Sequence, residues 1–287
     1  MSAALAADLA VAIDAARRAG AVVMSFFGRD LTVAHKAPDQ PLTEADLAAD
    51  ALLHDLLIGA RPDYGWLSEE TRDRPDRLER QRVWIVDPID GTRSFVAGRP
   101  EFAVSIGLVV SGLPMLGVVY NPARDELFRA VRGGGAFQGR VGAPDVRLRV
   151  RAHGAPRATM LASRSEIAAG EFEPFRDGWH IEPAGSTAYK LASIAAAQGD
   201  AFLSRGPKSE WDICAGVLIV TEAGGRATDL AGTEPLFNRP DPYVHGVLAT
   251  NGTLHETLLR EIRDLPEPAR LREATRDPLH PGLPDGR

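Results

Sequence analysis

Regularly spaced apolar residues predict two helices at the start of the chain. Residues 5–27 are rich in Ala and carry apolar side chains near helical spacing, so they predict a long amphipathic helix. A second helix is predicted from residue 43 to about residue 58, where Thr43 and Asp46 resemble a capping box. Asp46 can therefore be a charge that complements the helix dipole, or it can belong to a functional site.

Short apolar runs rich in β-branched and aromatic residues predict the strands that follow. One run, 65–68, ends in two acids, Glu69 and Glu70. A second run, 83–86, predicts a buried strand. Further strands, separated by turns that carry Gly or Pro, indicate an antiparallel meander at 102–110, 115–120 and 127–131.

The second half of the chain alternates between strands and helices, which predicts an α/β protein with layered (α+β) packing. The predicted strands are 158–162, 201–204, 226–228 and 244–250, and the predicted helices are 185–198 and 211–224.

Gly, Pro and alternating basic residues at 141–156 indicate a boundary between two subdomains. Residues 1–150 are predicted to form an N-terminal α+β subdomain with the large antiparallel sheet. Residues 151–265 are predicted to form a C-terminal α/β subdomain. The proline-rich residues 266–287 are expected to be a loosely attached tail.

Composition narrows the classes of function. The net charge of −6 disfavours nonspecific nucleic-acid binding, and a single cysteine, Cys214, excludes an internal disulfide and a cysteine-based zinc cluster. The N-terminal residues lack the basic start of a signal peptide, and no apolar run approaches the roughly 20 residues that span a bilayer. We therefore expect a cytoplasmic protein that binds neither nucleic acid nor membrane.

Residues 83–95 carry the most informative chemistry. Asp87 and Asp90 follow the predicted strand, and Pro88 between them forces a turn. Gly91 allows close approach of the backbone, and Thr92 can cap a following helix. This arrangement suits a metal beside a phosphate, although Asp-Pro and Asp-Gly are also ordinary surface turns.

Five acids stand at the ends of predicted strands or the starts of predicted helices. Asp212, in the first turn of the helix predicted at 211–224, can alternatively be a simple helix-dipole charge. If the acids cluster, they repel one another unless cations lie between them. Oxygen ligands select hard ions, so Mg²⁺ is the expected metal. The set is Asp46, Glu69, Asp87, Asp90 and Asp212.

The chain closely resembles the inositol monophosphatase superfamily, the lithium-sensitive, magnesium-dependent phosphatases. Three motifs in the family's order and separations carry the resemblance, which covers about residues 5–260. They read Ser68-Glu69-Glu70, Asp87-Pro-Ile-Asp-Gly-Thr92 and Trp211-Asp212-Ile-Cys-Ala-Gly216. The resemblance implies a five-layer αβαβα sandwich of the inositol monophosphatase and fructose-1,6-bisphosphatase type. It also implies inhibition by Li⁺ and a possible homodimer.

The resemblance further implies two to three Mg²⁺ ions per site. Glu69, Asp87 and the Ile89 carbonyl are expected to hold one ion. Asp87, Asp90 and Asp212 are expected to hold a second, and Glu69 is expected to share a third, weaker ion through water.

The same resemblance assigns the remaining catalytic roles. Thr92, hydrogen-bonded to Asp46, is expected to orient or deprotonate the attacking water, with Glu69 also in the catalytic set. The backbone N–H groups of Gly91 and Thr92, beside Asp90, are expected to receive phosphate oxygens.

Substrate choice is expected to depend on the segment before Trp211. Inositol-specific members commonly place an acid about seven residues before the last metal-binding Asp, whereas this chain has Arg205 there and Lys208 follows. Cations suit a second phosphate better than a polyol. These charges can also be solvated loop residues, and Glu210 departs from a purely cationic pocket.

Other features resemble the CysQ-type nucleotidase branch of the superfamily. They are Gly206-Pro207 and Lys190, and the start of the helix that carries Lys190 adds Gly185 and Ser186 to the substrate-binding candidates. The leading hypothesis is a 3′(2′),5′-bisphosphate nucleotidase that removes the 3′-phosphate of adenosine 3′,5′-bisphosphate, a by-product of sulfate assimilation. Inositol-1-phosphate and histidinol phosphate are the alternative substrates. A non-catalytic regulatory binding protein is the alternative of a different class.

Overall fold

The computed structural model describes residues 2–30, 32–37, 40–152 and 157–268. Two long helices open the fold, α1 (Ala3–Phe26) and α2 (Glu44–Ala60), and they flank the antiparallel strands β1 (Val33–Ala37) and β2 (Gln40–Thr43). The capping box predicted for α2 is present, because the Asp46 carboxylate accepts the Thr43 N–H at 2.8 Å.

The larger sheet has seven strands in the order of the sequence, so most neighbours are joined by short turns. Only β3 and β4 run parallel; the other pairs are antiparallel, which confirms the predicted meander. The strands are β3 (Gly65–Ser68), β4 (Arg82–Asp90), β5 (Ala103–Val110), β6 (Leu113–Asn121), β7 (Glu126–Val131), β8 (Gly135–Gly139) and β9 (Val146–Arg147).

The smaller sheet has five strands in the order β11-β10-β12-β14-β13 and mixes parallel with antiparallel pairs. Its strands are β10 (Ala158–Ala162), β11 (Trp179–Pro183), β12 (Ala201–Ser209), β13 (Arg226–Thr228) and β14 (Tyr243–Thr250). The other helices are α3 (Thr92–Val96), α4 (Arg164–Ala168), α5 (Thr187–Ala195), α6 (Glu210–Glu222) and α7 (His255–Arg263), and 3₁₀ turns lie at Pro75–Glu79 and Glu173–Phe175.

Alternating side chains of β4 show how the layers form, because successive residues of a strand point to opposite faces. Trp84 and Val86 pack with α1 and α2, whereas Val83 and Ile85 pack with α5, α6 and the inner face of the smaller sheet. The outer face of the smaller sheet packs against α7. The order α1/α2, large sheet, α5/α6, small sheet, α7 confirms the five-layer αβαβα sandwich.

Helix α6 lies close against the large sheet because glycines face it. A Cβ atom added at Gly107 would lie 2.6 Å from Cys214 Sγ, and one at Gly117 would lie 2.7 Å from the Ala215 carbonyl oxygen. This close approach brings the first turn of α6 to the end of β4.

Two predicted boundaries were wrong. Strand β4 continues beyond residue 86 to Asp90, with a register shift between Asp87 and Asp90 against β5. Strand β12 continues beyond residue 204 to Ser209, so the predicted substrate loop lies in a strand. Gly206 and Pro207 disfavour a strand locally, but pairing with β14 carries the strand past a bulge at 204–207.

The division into subdomains 1–150 and 151–265 stays a prediction; the α5–α6 layer packs against both sheets. In the proposed tail, residues 269–287 lie outside the described part of the chain, as do residues 153–156 of the proposed boundary. Among the helices of the described residues, none combines the length and the apolar character that crossing a membrane requires.

Candidate active site

Three carboxylates converge where β4 meets the start of α6. One oxygen from each of Asp87, Asp90 and Asp212 lies within 4.8 Å of the others. The register shift at the end of β4 brings Asp87 and Asp90 to the same place, and the first turn of α6 supplies Asp212. Asp87 is only 1% exposed, whereas Asp212 is partly accessible.

Burial and mutual repulsion make this cluster costly without a cation. Burial, followed by the charges of neighbouring acids, raises the pKa of Asp87 and of Asp212 well above the ordinary value. Burial also raises the pKa of Asp90, although hydrogen bonds from Ser186 and Ala188 oppose the shift. A divalent cation between the oxygens would reverse these shifts, and an all-oxygen donor set suits Mg²⁺. The residues present therefore fit the implied metal.

Glu69 lies beside the cluster and is paired with a residue that the sequence did not single out. Lys36 Nζ donates to Glu69 Oε1 at 2.9 Å and to Glu70 Oε1 at 2.6 Å. Burial alone would lower the pKa of Lys36, but the charges of Glu69 and Glu70 raise it. Burial and the charge of Glu69 raise the pKa of Glu70 to about 7. A salt bridge between Lys36 on β1 and the acids that follow β3 leaves no local signal in the sequence.

Thr92 links the cleft to Asp46. Its hydroxyl is 3.2 Å from Asp46 Oδ1 and 3.0 Å from the Ile89 carbonyl oxygen, and it can donate to either. Asp46 is buried and does not line the cleft; among the described lining residues, its hydrogen-bond partner is Thr92. Burial raises the pKa of Asp46, opposed by the hydrogen bonds from Thr43.

The turn before α3 differs from the sequence prediction. Gly91, not Thr92, is the N-cap residue, and its φ of 97° lies in the left-handed region. A Cβ atom there would lie 2.9 Å from the Glu101 carbonyl oxygen. Thr92 is instead the first helical residue, which frees its hydroxyl for Asp46. Gly91 is therefore required both by the turn and by the close approach of Glu101.

Gly185 and Ser186 line the cleft just before and at the start of α5, next to Asp90. The Ser186 hydroxyl donates to Asp90 Oδ2 at 2.6 Å and accepts the Tyr189 N–H at 3.0 Å. Ser186 has a φ of 58°, an unusual value for a residue other than Gly. The backbone of Ser186 is thus held in a strained conformation next to the acid cluster.

Two of the three predicted cations line the cleft, which has a volume of about 240 Å³. Lys190 is 2% exposed, and its Nζ donates to Ser163 Oγ at 2.9 Å and to the Ala184 carbonyl oxygen at 3.3 Å. Burial lowers the pKa of Lys190 to about 8, opposed by the charge of Glu166. Lys208 Nζ lies 3.6 Å from Glu166 Oε1.

Arg205 does not line the cleft. Its guanidinium donates to the Pro266 carbonyl oxygen, on the chain that follows α7. Lys208 lines the cleft, and the bulge at 204–207 lies between it and Arg205. The expectation that Arg205 contacts the substrate rested on a loop, and the structure has a strand there.

Several lining residues were missed by the sequence reading. Ser163, Arg164 and Ser165 follow strand β10 directly, and Arg93 lies on α3. Arg164 Nη1 pairs with Glu101 Oε2 at 2.6 Å, at the same side of the cleft as Gly185. A polar Ser-Arg-Ser run at the end of a predicted strand is a signal that could have identified them.

Comparisons with known proteins agree with this fold. The model of the inositol monophosphatase family matches residues 5–267. An inositol-1-monophosphatase of Mesorhizobium japonicum is 36% identical over 266 residues, which cover 89% of this chain and 96% of that protein. A Nus factor SuhB of Pasteurella multocida is 35% identical over 235 residues, covering 78% of this chain and 85% of that protein.

Two solved structures are similar as well. The extragenic suppressor protein SuhB of Bartonella henselae superposes with a TM-score of 0.79 at 33% identity, covering 90% of this chain and 99% of that one. CysQ of Bacteroides thetaiotaomicron superposes with a TM-score of 0.70 at 29% identity, covering 84% of this chain and 95% of that one.

Proposed function

The chain belongs to the inositol monophosphatase family, and on that premise we propose that it is a magnesium-dependent phosphomonoesterase whose substrate carries a second anionic group. One observation carries the proposal: the same cleft is lined by the converging carboxylates Asp87, Asp90 and Asp212, which we call the carboxylate wall, and by Lys190 and Lys208, which we call the cationic wall. The first wall suits the metal-assisted attack on a phosphate, and the second suits an additional negative charge.

The metal would be held by Asp87, Asp90 and Asp212, with Glu69 and the Ile89 carbonyl completing the set that the family resemblance implies. When bound, Mg²⁺ would lower the pKa of a water molecule and offset the charge that develops on the phosphoryl oxygens. Two to three ions per site and inhibition by Li⁺ are part of this proposal.

The protein's own residues would orient the reactants. The Thr92 hydroxyl, if it donates to Asp46, presents a lone pair toward the cleft, where it can accept a hydrogen bond from the attacking water. The first N–H groups of α3, from Gly91 and Thr92, have no intrahelical partners and can donate to phosphate oxygens. Asp46 keeps the Thr92 hydroxyl in place and therefore acts as a positioning residue.

Adenosine 3′,5′-bisphosphate is the substrate that we propose. Its 3′-phosphate would lie at the carboxylates, and its 5′-phosphate would lie near Lys190 and Lys208, with Arg164 at the same side of the cleft. A lysine ammonium donates charge-assisted hydrogen bonds to phosphate. Such an enzyme would remove a by-product of sulfate assimilation.

Inositol 1-phosphate is the second candidate, because the relative from Mesorhizobium japonicum is named an inositol-1-monophosphatase. Histidinol phosphate is a third ester that the comparison must include. A regulatory, non-catalytic role is the alternative of a different class, since another relative is named a Nus factor. The convergence of Asp87, Asp90 and Asp212 favours catalysis over that alternative.

The test is release of inorganic phosphate from a panel of esters by the purified protein with Mg²⁺. The panel contains adenosine 3′,5′-bisphosphate, inositol 1-phosphate and histidinol phosphate, each with and without a chelator. We expect kcat/KM for the bisphosphate to exceed both other values at least about tenfold. A preference for either monophosphate would overturn the proposed substrate, and no release from any ester would overturn the enzymatic function.

A further inference from the structure

Arg77 joins two segments that are far apart in the sequence. It lies in the 3₁₀ turn Pro75–Glu79 and is 2% exposed. Its guanidinium donates to both carboxylate oxygens of Asp73, at 2.6 and 2.8 Å. It also donates to Asn238 Oδ1 at 2.7 Å and to the Arg239 carbonyl oxygen at 2.9 Å. A buried arginine with this many partners is geometrically fixed, unlike an exposed one.

The segment that Arg77 holds is bonded in turn to Glu210. The Asn238 N–H donates to Glu210 Oε2 at 2.6 Å, and the Arg239 N–H donates to Glu210 Oε1 at 3.0 Å. Both oxygens of a fully buried carboxylate are thereby satisfied. Asn238 has a φ of 59°, so this short segment adopts a conformation that depends on its surroundings.

Glu210 is the first residue of α6, and Asp212 is the third. The Glu210 N–H also donates to the Pro242 carbonyl oxygen at 2.9 Å. The first turn of α6 is therefore held by its backbone and by the Glu210 side chain. We refer to Asp73, Arg77, Asn238, Arg239 and Glu210 together as the Arg77 network.

We propose that Arg77 is a positioning residue for the metal site, because the Arg77 network fixes the first turn of α6 and with it the Asp212 carboxylate. This inference rests on the proposed function, in which Asp212 is a metal ligand. The reason for such a network lies in the cluster itself. Asp212 lies within 4.8 Å of two other carboxylates, whose repulsion displaces it unless its backbone is held.

Arg77 differs in its burial and its hydrogen bonds from other charged residues of the same segment. Its segment, residues 71–82, reads in the sequence as solvated surface. Arg72 and Arg80 fit that reading: they are exposed, and among the described residues neither has an ion pair or hydrogen bond from its side chain. Arg80→Ala is thus a matched control that removes an arginine from the same segment without touching the network.

The experiment measures binding of Mn²⁺ to the folded protein by electron paramagnetic resonance, which detects the free ion. The variants are Arg77→Ala, Asn238→Gly, Arg80→Ala and Asp212→Asn. Asn238→Gly removes one of the two acceptors that Arg77 has in residues 238–239, together with the bond from the Asn238 amide to the Arg77 carbonyl oxygen, and it tolerates the positive φ. We expect Arg77→Ala and Asn238→Gly each to raise the dissociation constant of the ion that depends on Asp212 about tenfold. Arg80→Ala should stay within about twofold.

Two further measurements separate positioning from stability. Circular dichroism and thermal unfolding test whether each variant is folded at the temperature of the titration. If Arg77→Ala does not fold, Asn238→Gly still tests the inference. The double variant Arg77→Ala/Asn238→Gly should bind Mn²⁺ about as weakly as Arg77→Ala alone, because Arg77→Ala already removes both bonds from the guanidinium to residues 238–239.

The outcomes are distinct. If Asp212→Asn leaves Mn²⁺ binding unchanged, the metal assignment in the proposed function is wrong, and the inference falls with it. If Asp212→Asn weakens binding while Arg77→Ala and Asn238→Gly lower only the unfolding temperature, the proposed function stands and the inference is overturned.

Discussion

The two walls of the cleft are built in different ways. The carboxylate wall brings together side chains from the end of β4 and the start of α6, which belong to neighbouring layers, and its members repel one another. The cationic wall comes from α5 and β12, and its members have partners within the protein: Lys190 bonds to Ser163, and Lys208 lies beside Glu166.

This difference separates two tasks. The carboxylate wall is incomplete without a cation, so its residues are expected to determine whether the chemistry takes place at all. The cationic wall is satisfied by the protein alone, so its residues are expected to change which ester is accepted. Substitutions in the two walls should therefore have effects of different kind and size.

The largest effect is expected from Asp87→Asn. The substitution removes the charge of a proposed metal ligand in the carboxylate wall, and the expected loss of transition-state stabilisation is several kcal/mol. We expect kcat/KM for every ester to fall about 1,000-fold or more. Phosphate release at saturating Mg²⁺ measures it, with Asp14→Asn, on the exposed face of α1, as the matched control.

The same variant should be more stable than the wild type when metal is absent. The pKa of Asp87 is higher in the folded protein than in the unfolded chain. The folded protein therefore loses stability as pH rises from the unfolded pKa to the folded pKa, and this loss persists at higher pH. At pH 7 with a chelator, Asp87→Asn should unfold at a higher temperature. Lower activity combined with lower stability would indicate a structural role instead.

The sequence predicted the first wall better than the second for a physical reason. Asp87, Asp90 and Gly91 stand in one local motif, where the irregular end of β4 and the turn at Gly91 determine their placement. Arg205 was misplaced because the extent of β12 depends on β14, about 40 residues later, and not on local propensity.

Long-range pairing also hid residues that surround the site. Lys36 meets Glu69 across the space between β1 and β3, and Arg77 meets Asn238 across 161 positions of the chain. Each of these residues lies in a polar stretch that resembles ordinary surface. Periodicity predicted most of the helices and strands, and the family resemblance predicted their five layers, but such pairings need the folded structure.

An intermediate effect is expected from Lys190→Met. The side chain has a similar length and no charge, so the second anionic group loses a charge-assisted partner while the core stays filled. We expect KM for adenosine 3′,5′-bisphosphate to rise about 10–100-fold and KM for inositol 1-phosphate to change little. Steady-state kinetics on the two esters measures the difference.

The pH dependence of the wild type provides a control for this prediction. The pKa of Lys190 is lowered to about 8, so its ammonium is present below that pH and is lost as pH rises through it. The ratio of kcat/KM for the bisphosphate to that for inositol 1-phosphate should therefore decline above about pH 8, but not in Lys190→Met. If kcat/KM changes equally with pH for both esters, Lys190 does not contribute to substrate selection.

The smallest effect is expected from Arg205→Ala, although Arg205 is only a few positions from Lys208. Its guanidinium donates to the Pro266 carbonyl oxygen and does not line the cleft, so kcat/KM for either ester should change less than about twofold. The same assays with the bisphosphate and inositol 1-phosphate measure it. A large rise in KM for the bisphosphate alone would mean that Arg205 exchanges Pro266 for the substrate. In that case the cationic wall would also be incomplete until a ligand binds, and the contrast between the two walls would disappear.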